Sequence, residues 1–454
     1  MSITTTHARP ARSRYVPPIP EFATTFEAAT TSLPGHGAAA VRDWRRRHFD
    51  RFVETGLPTS RAEQWKYTNI ARLANVPMTL ARRADVKLGD VSRYFTGGPM
   101  ARRLIFVNGH LASELSHVRG LPEGVRIESL GTLLDEEPDW AAQALGGPAE
   151  PHSFADLNAA FLQSGAWIEL ADGAALEHPL QLLFLTVGQP AAVMTHPRVV
   201  VRLGDGARLH LIESHIGLAE GHCLTNLVGH YEIGSKARLT HDRLQLGSAG
   251  TSFVGLTRQR LGERAELKQT LATLGGALVR NETDMHLVGP FVEAQLNGVY
   301  MPIGQEHVDN LIRVHHEAPD GHSDQFYKGV MDEKARAAFA GKIIVYQDAQ
   351  RTNAFQQNNN LLLSDDAEIS SKPELEIYAD DVKCSHGATC GELDKRALFY
   401  LRSRGLDRVQ AENILTFAFA AEVMERFVDP TAKKLARECL VARTPGGAGL
   451  MDLL

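Results

Sequence analysis

The segments GDGARLHLIESHI (204–216) and GSKARLTHDRLQL (234–246) carry one pattern: a polar turn, an alanine, then alternating strand residues. The turn and its alanine return as GERAEL, GPFVEAQL, DEKARA and SDDAEI, which places alanines at 207, 237, 265, 294, 335 and 367. Successive alanines stand roughly 30 positions apart, with one wider gap before Ala335, and such a period of short strands and turns predicts a repeat architecture. Gly, Asp and Ser mark the turns, and period-two alternation marks the strands. No long helix interrupts the run, so Rossmann and TIM-barrel layouts fit poorly. A β-helix, whose core grows by contacts between neighbouring coils, fits best. An antiparallel sandwich would give the same local pattern and stays open at this level. Within the run, QQNNNLLLS (356–364) reads equally as stacked amides between coils or as a polar turn.

On either side of this core the period changes. Residues 1–150 form a helix-rich region whose opening stretch, 1–20, proline-bearing and poor in large apolar side chains, reads as a disordered arm. From Glu21 to about Leu80 the pattern is helical. Val41, Trp44, His48, Phe49 and Phe52 share one helix face, with Gly56 and Pro58 as a stop. The basic cluster Arg45, Arg46 and Arg47 reads as a solvated helix face. LIFVNGHL (104–111) is strand-like, and GGPAEPH (146–152) reads as a linker. The β core spans 151–390. From about Gly391 helical spacing returns: LDKRALFYLRSRG closes at Gly405, and a second helix carries apolar residues at 411, 414, 415, 418, 421 and 424 before Asp429 and Pro430 end it. Residues 391–454 are therefore a C-terminal helical domain.

The 454 residues, 43% hydrophobic and with a net charge of −6, suit a globular chain with a sizeable core. That charge gives no reason to expect nucleic acid or an anionic membrane as a partner. Four cysteines are too few for a disulfide framework. No apolar run reaches the length of a membrane helix, and the first residues lack the apolar stretch of a secretory signal. A reducing cytoplasm is the simplest location. No phosphate loop, dinucleotide fingerprint, GxSxG elbow or HExxH motif is present.

The densest chemistry lies in IYADDVKCSHGATCGELD (377–394). Cys384 and His386 are two positions apart, so on a strand they face one way. A thiolate and an imidazole on one face suit iron in sulfide clusters or other borderline metals. Two ligands do not complete a site, and no CxxC pair supplies the rest, so a site shared with another subunit stays open. The competing reading is a buried cysteine beside a turn histidine. Cys390 is expected near a helix start, where packing is its simplest role. Cys223 and Cys439 read as small core residues. Of the histidine pairs 210/215, 222/230 and 315/316, the last is adjacent and must point to opposite sides of a strand.

LEIYADDVKCSHGATCGELDKRALFYLRSRG (375–405) closely resembles the C-terminal signature of the SufB/SufD family of iron–sulfur cluster assembly proteins. The preceding ARAAFAGKIIVYQDAQRTNAFQQNNNLLLSDDAEISSKP (335–373) resembles that family's upstream segment. SRAEQWKYTNI (60–70) is similar to the Arg-x-Glu-x-Trp-Lys-Tyr-Thr motif of its SufD branch. The resemblance implies a right-handed parallel β-helix flanked by N-terminal and C-terminal helical domains. It implies a non-catalytic scaffold that pairs through its β core with a SufB-type subunit. A SufC-type ABC ATPase would dock on residues 391–454. A transient iron–sulfur cluster would form at the shared interface, with His386 taking part and Cys384 as a second candidate. No cofactor is expected to stay tightly bound to the isolated chain, and self-pairing as a homodimer in the partner's absence is left open. The rival functions are a β-helix carbohydrate lyase or hydrolase, weakened by the few aromatic residues of the core, and a metal-dependent enzyme using core histidines.

Overall fold

The computed structural model describes residues 13–146, 152–218 and 221–444. Two sheets run side by side through the core, and the chain alternates between them. One sheet orders Val125–Ser129, Gly165–Leu170, Arg198–Leu203, Cys223–Ile233, Thr251–Leu261, Leu278–Leu287, His307–His316, Arg336–Val345 and Glu368–Ile377. The other runs from Arg102–Val107 through Leu180–Thr186, Arg208–Gly217, Arg238–Leu246, Glu266–Thr273, Glu293–Tyr300, His322–Met331 and Thr352–Leu362 to Val382–Gly391. From Gly165–Leu170 onward every pairing in this core is parallel. This is the parallel β-solenoid anticipated from the repeat, and the sandwich is excluded.

The register explains the signature. Arg208 pairs with Arg238, Arg238 with Glu266, Glu266 with Glu293 and Glu293 with His322, so one period of the pattern is one coil. Ala207, Ala237 and Ala265 are fully buried at the same inner corner. The fourth member of that column is Val292 rather than Ala294, which pairs with Leu267 two positions further on. Ala335 and Ala367 occupy the corresponding corner of the opposite sheet, so the wider gap before Ala335 marks a change of sheet. The residue before each corner adopts a left-handed conformation: Gly206, Lys236, Arg264 and Phe291 have φ of 71°, 58°, 54° and 59°. Glycine is not needed at most of these turns because each is held by the next coil. The Lys236 N–H donates to the Glu263 carbonyl at 2.7 Å, and the Arg264 N–H to the Pro290 carbonyl at 2.9 Å. Such bonds offset the roughly 1–2 kcal/mol that a left-handed L-residue costs.

QQNNNLLLS is strand, not turn. Gln356, Asn358 and Asn360 point inward and are buried. Gln356 donates to Gln325 in the coil below at 2.9 Å, so an amide step between coils does form. Asn358 and Asn360 instead bracket the Tyr300 hydroxyl, at 3.0 and 2.7 Å.

The two helical regions cover different sheets. The N-terminal helices Glu21–Ala29, Ala39–Thr55 and Ser153–Phe161 pack through Phe26, Phe49, Phe52, Phe154 and Phe161 against Met194, Leu224 and Val254 of the first sheet. The helical span expected over 21–80 is broken, with only single turns at Glu63–Trp65 and Ala71–Ala74 after Gly56. Of the basic cluster, Arg46 and Arg47 are exposed as expected, and only Arg45 departs from it. Arg45 is buried and donates to the Pro34 and Ala160 carbonyls, at 2.8 and 3.3 Å. Position 45 follows Val41 by four and precedes His48 and Phe49 by three and four, so helical spacing itself puts Arg45 on the buried face, where its guanidinium is satisfied by those carbonyls. Residues 1–12 of the expected arm and 147–151 of the expected linker lie outside the described residues. Tyr15–Val16, within that arm, pairs antiparallel with Leu57–Pro58.

The C-terminal helices Lys395–Ser403, Arg408–Met424 and Pro430–Arg443 turn back along the second sheet. Ala420, Val423, Met424, Phe427, Ala436 and Leu440 cluster with Ile212, Leu244, Val299, Phe326 and Val330. Asp242 fixes the crossing, accepting the Asp429 N–H at 2.7 Å and the Val428 N–H at 3.1 Å. The buried residues of the middle helix are Ala411, Asn413, Thr416, Ala420, Val423 and Met424. Of the expected stripe, only 411 and 424 are among them, whereas 414, 415, 418 and 421 are not. That helix is apolar on nearly all sides, so its spacing left the packed face undecided.

Candidate functional site

The solenoid's last coil is open. Glu368–Ile377 and Val382–Gly391 each pair with one neighbour, and among the described residues no strand covers their outer edges. Because the C-terminal helices fold back over the flank, they leave this end bare. Cys384 and His386 both lie on Val382–Gly391. They are in register with Ala354 and Gln356, which face the coil interior, so they share that inward face. Their Cα atoms stand roughly 6.5 Å apart along the strand. Cys384 is half-buried against Ile343, Val345, Ala354 and Ala379. His386 is exposed, because among the described residues no further coil stacks above it. Burial pushes the Cys384 thiol up, partly countered by a hydrogen bond with the Ala354 backbone. The free chain therefore holds it as a thiol, and a bound metal would have to draw off the proton.

Cys390 is not at a helix start. It belongs to the same strand, in register with the buried Asn360, while the helix begins at Lys395 with Asp394 as its cap. The strand simply runs on through Gly387, whose open surroundings impose no turn. Cys223 is buried beside Ala81 and Val193, and Cys439 packs on the C-terminal cluster, with its thiol pushed up to about 11 by burial.

The histidine pairs do not meet. His316 is buried and bonds Ser323 at 2.8 Å, whereas His315 faces outward toward the Tyr346 hydroxyl. His215 is inside the coil with Glu213, while His210 lies outside on Asp242. The structure does bring together a group that spacing along the chain concealed: Asp284, His286 and His315, on adjacent strands. Stepping one coil on from His286 arrives at His315, and that was the signal available.

The Trp65 segment anchors the N-terminal region. Trp65 is buried and stacks on Phe154 at 5.3 Å, with the Arg280 guanidinium 3.9 Å from its ring centroid. Arg280 also donates to the Gln64 carbonyl at 2.7 Å. Thr68 bonds Asp309 and lies 3.1 Å from His307 Nε2. At the other end, the helix Lys395–Ser403 buries none of its residues, leaving Phe399 and Tyr400 75% and 57% exposed, and Val409 is exposed as well. Side chains this large and apolar are seldom left grouped on a surface without a partner.

Comparison with known proteins agrees with this architecture. Residues 184–419 match the SUF system FeS cluster assembly, SufBD core domain, and residues 19–182 match the SufBD protein N-terminal region. The chain is 32% identical over 406 residues to the iron–sulfur cluster assembly protein SufD of Escherichia coli, covering 89% of this chain and 93% of that one. It is 31% identical over 398 residues to an iron–sulfur cluster assembly SufBD family protein of Synechocystis, covering 86% and 88%. A chloroplastic protein of Arabidopsis thaliana is 26% identical over 399 residues, covering 86% and 83%. With both domains matched in order across an open-ended parallel solenoid, this chain belongs to the SufBD family of iron–sulfur cluster assembly proteins.

Proposed function

We propose that this chain is a SufD-type scaffold subunit, non-catalytic by itself, that works in the cytoplasm with a SufB-type subunit and a SufC-type ABC ATPase. The observation that carries the reading is the open coil. Two ten-residue strands end the solenoid with unpaired edges, and one of them presents Cys384 and His386. Unpaired edges of this length invite a strand from another chain, and folds that are to remain monomeric normally block them. Pairing there would bring a partner's side chains against Cys384 and His386. A thiol and an imidazole are half a ligand set, and the cluster they help to hold is cargo to be released. Incomplete ligation from each side favours that release. The exposed aromatic residues Phe399 and Tyr400, which no helix buries among the described residues, support docking of the ATPase on residues 391–454.

The test is co-expression with tagged SufB-type and SufC-type subunits, anaerobic purification, and light scattering of the eluted complex. A stable heteromer containing this chain is expected. If the chain elutes alone, as monomer or homodimer, while the other two associate, the scaffold reading is lost.

A further inference from the structure

On the outer face of the first sheet, away from the open coil, the register sets His286 of Leu278–Leu287 beside His315 of His307–His316. Their rings stack with centroids 4.3 Å apart and an interplanar angle of 4°. Asp284, two positions before His286, points the same way. One potential ligand atom from each of the three lies within 4.8 Å of the others, and no second group of three or more His, Cys, Asp or Glu converges in this way among the described residues.

The outer contacts orient the rings. His286 Nδ1 lies 2.6 Å from Glu317 Oε1, and His315 Nδ1 lies 3.2 Å from the Tyr346 hydroxyl. Both Nε2 atoms then turn toward the Asp284 carboxylate: His286 Nε2 is 3.8 Å from Oδ2, and His315 Nε2 is 3.2 Å from Oδ1. Metal-binding imidazoles characteristically engage their second nitrogen with a carboxylate or hydroxyl in this way, which fixes ring orientation and leaves the other nitrogen free. The group opens into a cavity of about 650 Å³ that Gln64, His152, Arg258 and Tyr346 also line.

We propose that Asp284, His286 and His315 bind one divalent first-row transition-metal ion through the two Nε2 atoms and the Asp284 carboxylate, with its remaining positions open to the cavity. Two imidazoles and one carboxylate with open positions suit Fe(II), Co(II) or Zn(II), and the lack of sulfur disfavours soft ions. Bonds of about 2.0–2.2 Å require the ligand atoms to close to roughly 3–3.5 Å, which rotation of the partly exposed side chains supplies. Arg313, whose Nε is 3.2 Å from Asp284 Oδ1, must give way, and the adjoining cavity has room for it. This site is independent of the scaffold reading and shares no residue with the open coil.

The test uses the full-length untagged chain, stripped with chelator and kept anaerobic. Co(II) is added, and its visible absorption and stoichiometry are read, with Zn(II) calorimetry for affinity. One ion per chain is expected. H286A/H315A should abolish binding, E317Q should weaken it about 10–100-fold, and C384A/H386A should leave it unchanged. If the double variant fails to fold, D284N, which preserves side-chain shape, takes its place. The proposal is overturned if the wild type binds no ion, if H286A/H315A or D284N binds like wild type, or if binding vanishes in C384A/H386A instead. That last outcome would place the metal at the scaffold site.

Discussion

Cys384 and His386 project from the same face of the same strand, yet only Cys384 is covered, by Ile343, Val345, Ala354 and Ala379. His386 lies over the open end of the coil. The two side chains therefore differ in what they cost the fold. Replacing exposed His386 by Ala should change stability by no more than about 0.5 kcal/mol. It should still lower iron and sulfide bound per purified complex while leaving the subunit composition intact. Wild-type iron and sulfide content in His386→Ala would make the residue structural.

Partner docking on the C-terminal helices is better probed by substitution than by deletion. Val423, Met424 and Leu440 cover the second sheet, so removing residues 391–454 would expose its apolar face as well as remove the proposed docking site. Phe399→Asp with Tyr400→Ser touches only exposed side chains. The expected result is loss of ATPase capture with an unchanged melting temperature and unchanged pairing with the SufB-type subunit. Retained ATPase in a pull-down would move the docking surface elsewhere.

The interior hydroxyl of Tyr300 donates to Asn360 Oδ1 and accepts from Asn358 Nδ2, linking coils two apart. Tyr300→Phe keeps the ring but strands buried amide atoms, at a cost of about 1–3 kcal/mol. The urea midpoint should fall with an unchanged slope. An unmoved midpoint would mean that the amides find other partners.

Stability should decline on mild acidification. Burial pushes His196 and His230 down to about 3, against roughly 6.5 in an unfolded chain. The folded rings stay neutral while the unfolded ones take up protons. Stability is therefore full above about pH 6.5 and falls as pH drops toward 3. Glu282 adds a later loss. Its burial alone would raise its pKa, but the Arg280 charge and hydrogen bonds from His152 and Arg280 hold it well below the carboxylate range. Its contribution is lost as pH falls below roughly 4.3. His196→Gln should flatten the dependence of the denaturation midpoint between about pH 6.5 and 4. A slope identical to wild type would exclude His196 as its source.

The solenoid was legible in the chain because it is a local rule repeated. A turn, a small residue for the inner corner and an alternating strand recur at nearly constant spacing, and Ala207, Ala237 and Ala265 sit where that rule places them. Cys384 and His386 were legible for the same reason, since side chains two positions apart on a strand always share a face. The rest depends on contacts between coils and layers. His286 and His315 are stacked neighbours only because the register of their two strands sets one against the other, and neighbouring coils step by slightly different amounts. Arg45 became interior against Pro34 and the helix Ser153–Phe161, Trp65 between Phe154 and Arg280, and the buried side of Arg408–Met424 was selected by the sheet it met. That the last coil stays open among the described residues was decided by the C-terminal helices, which bury Ala420, Val423, Met424 and Leu440 along the flank of the second sheet rather than across its end.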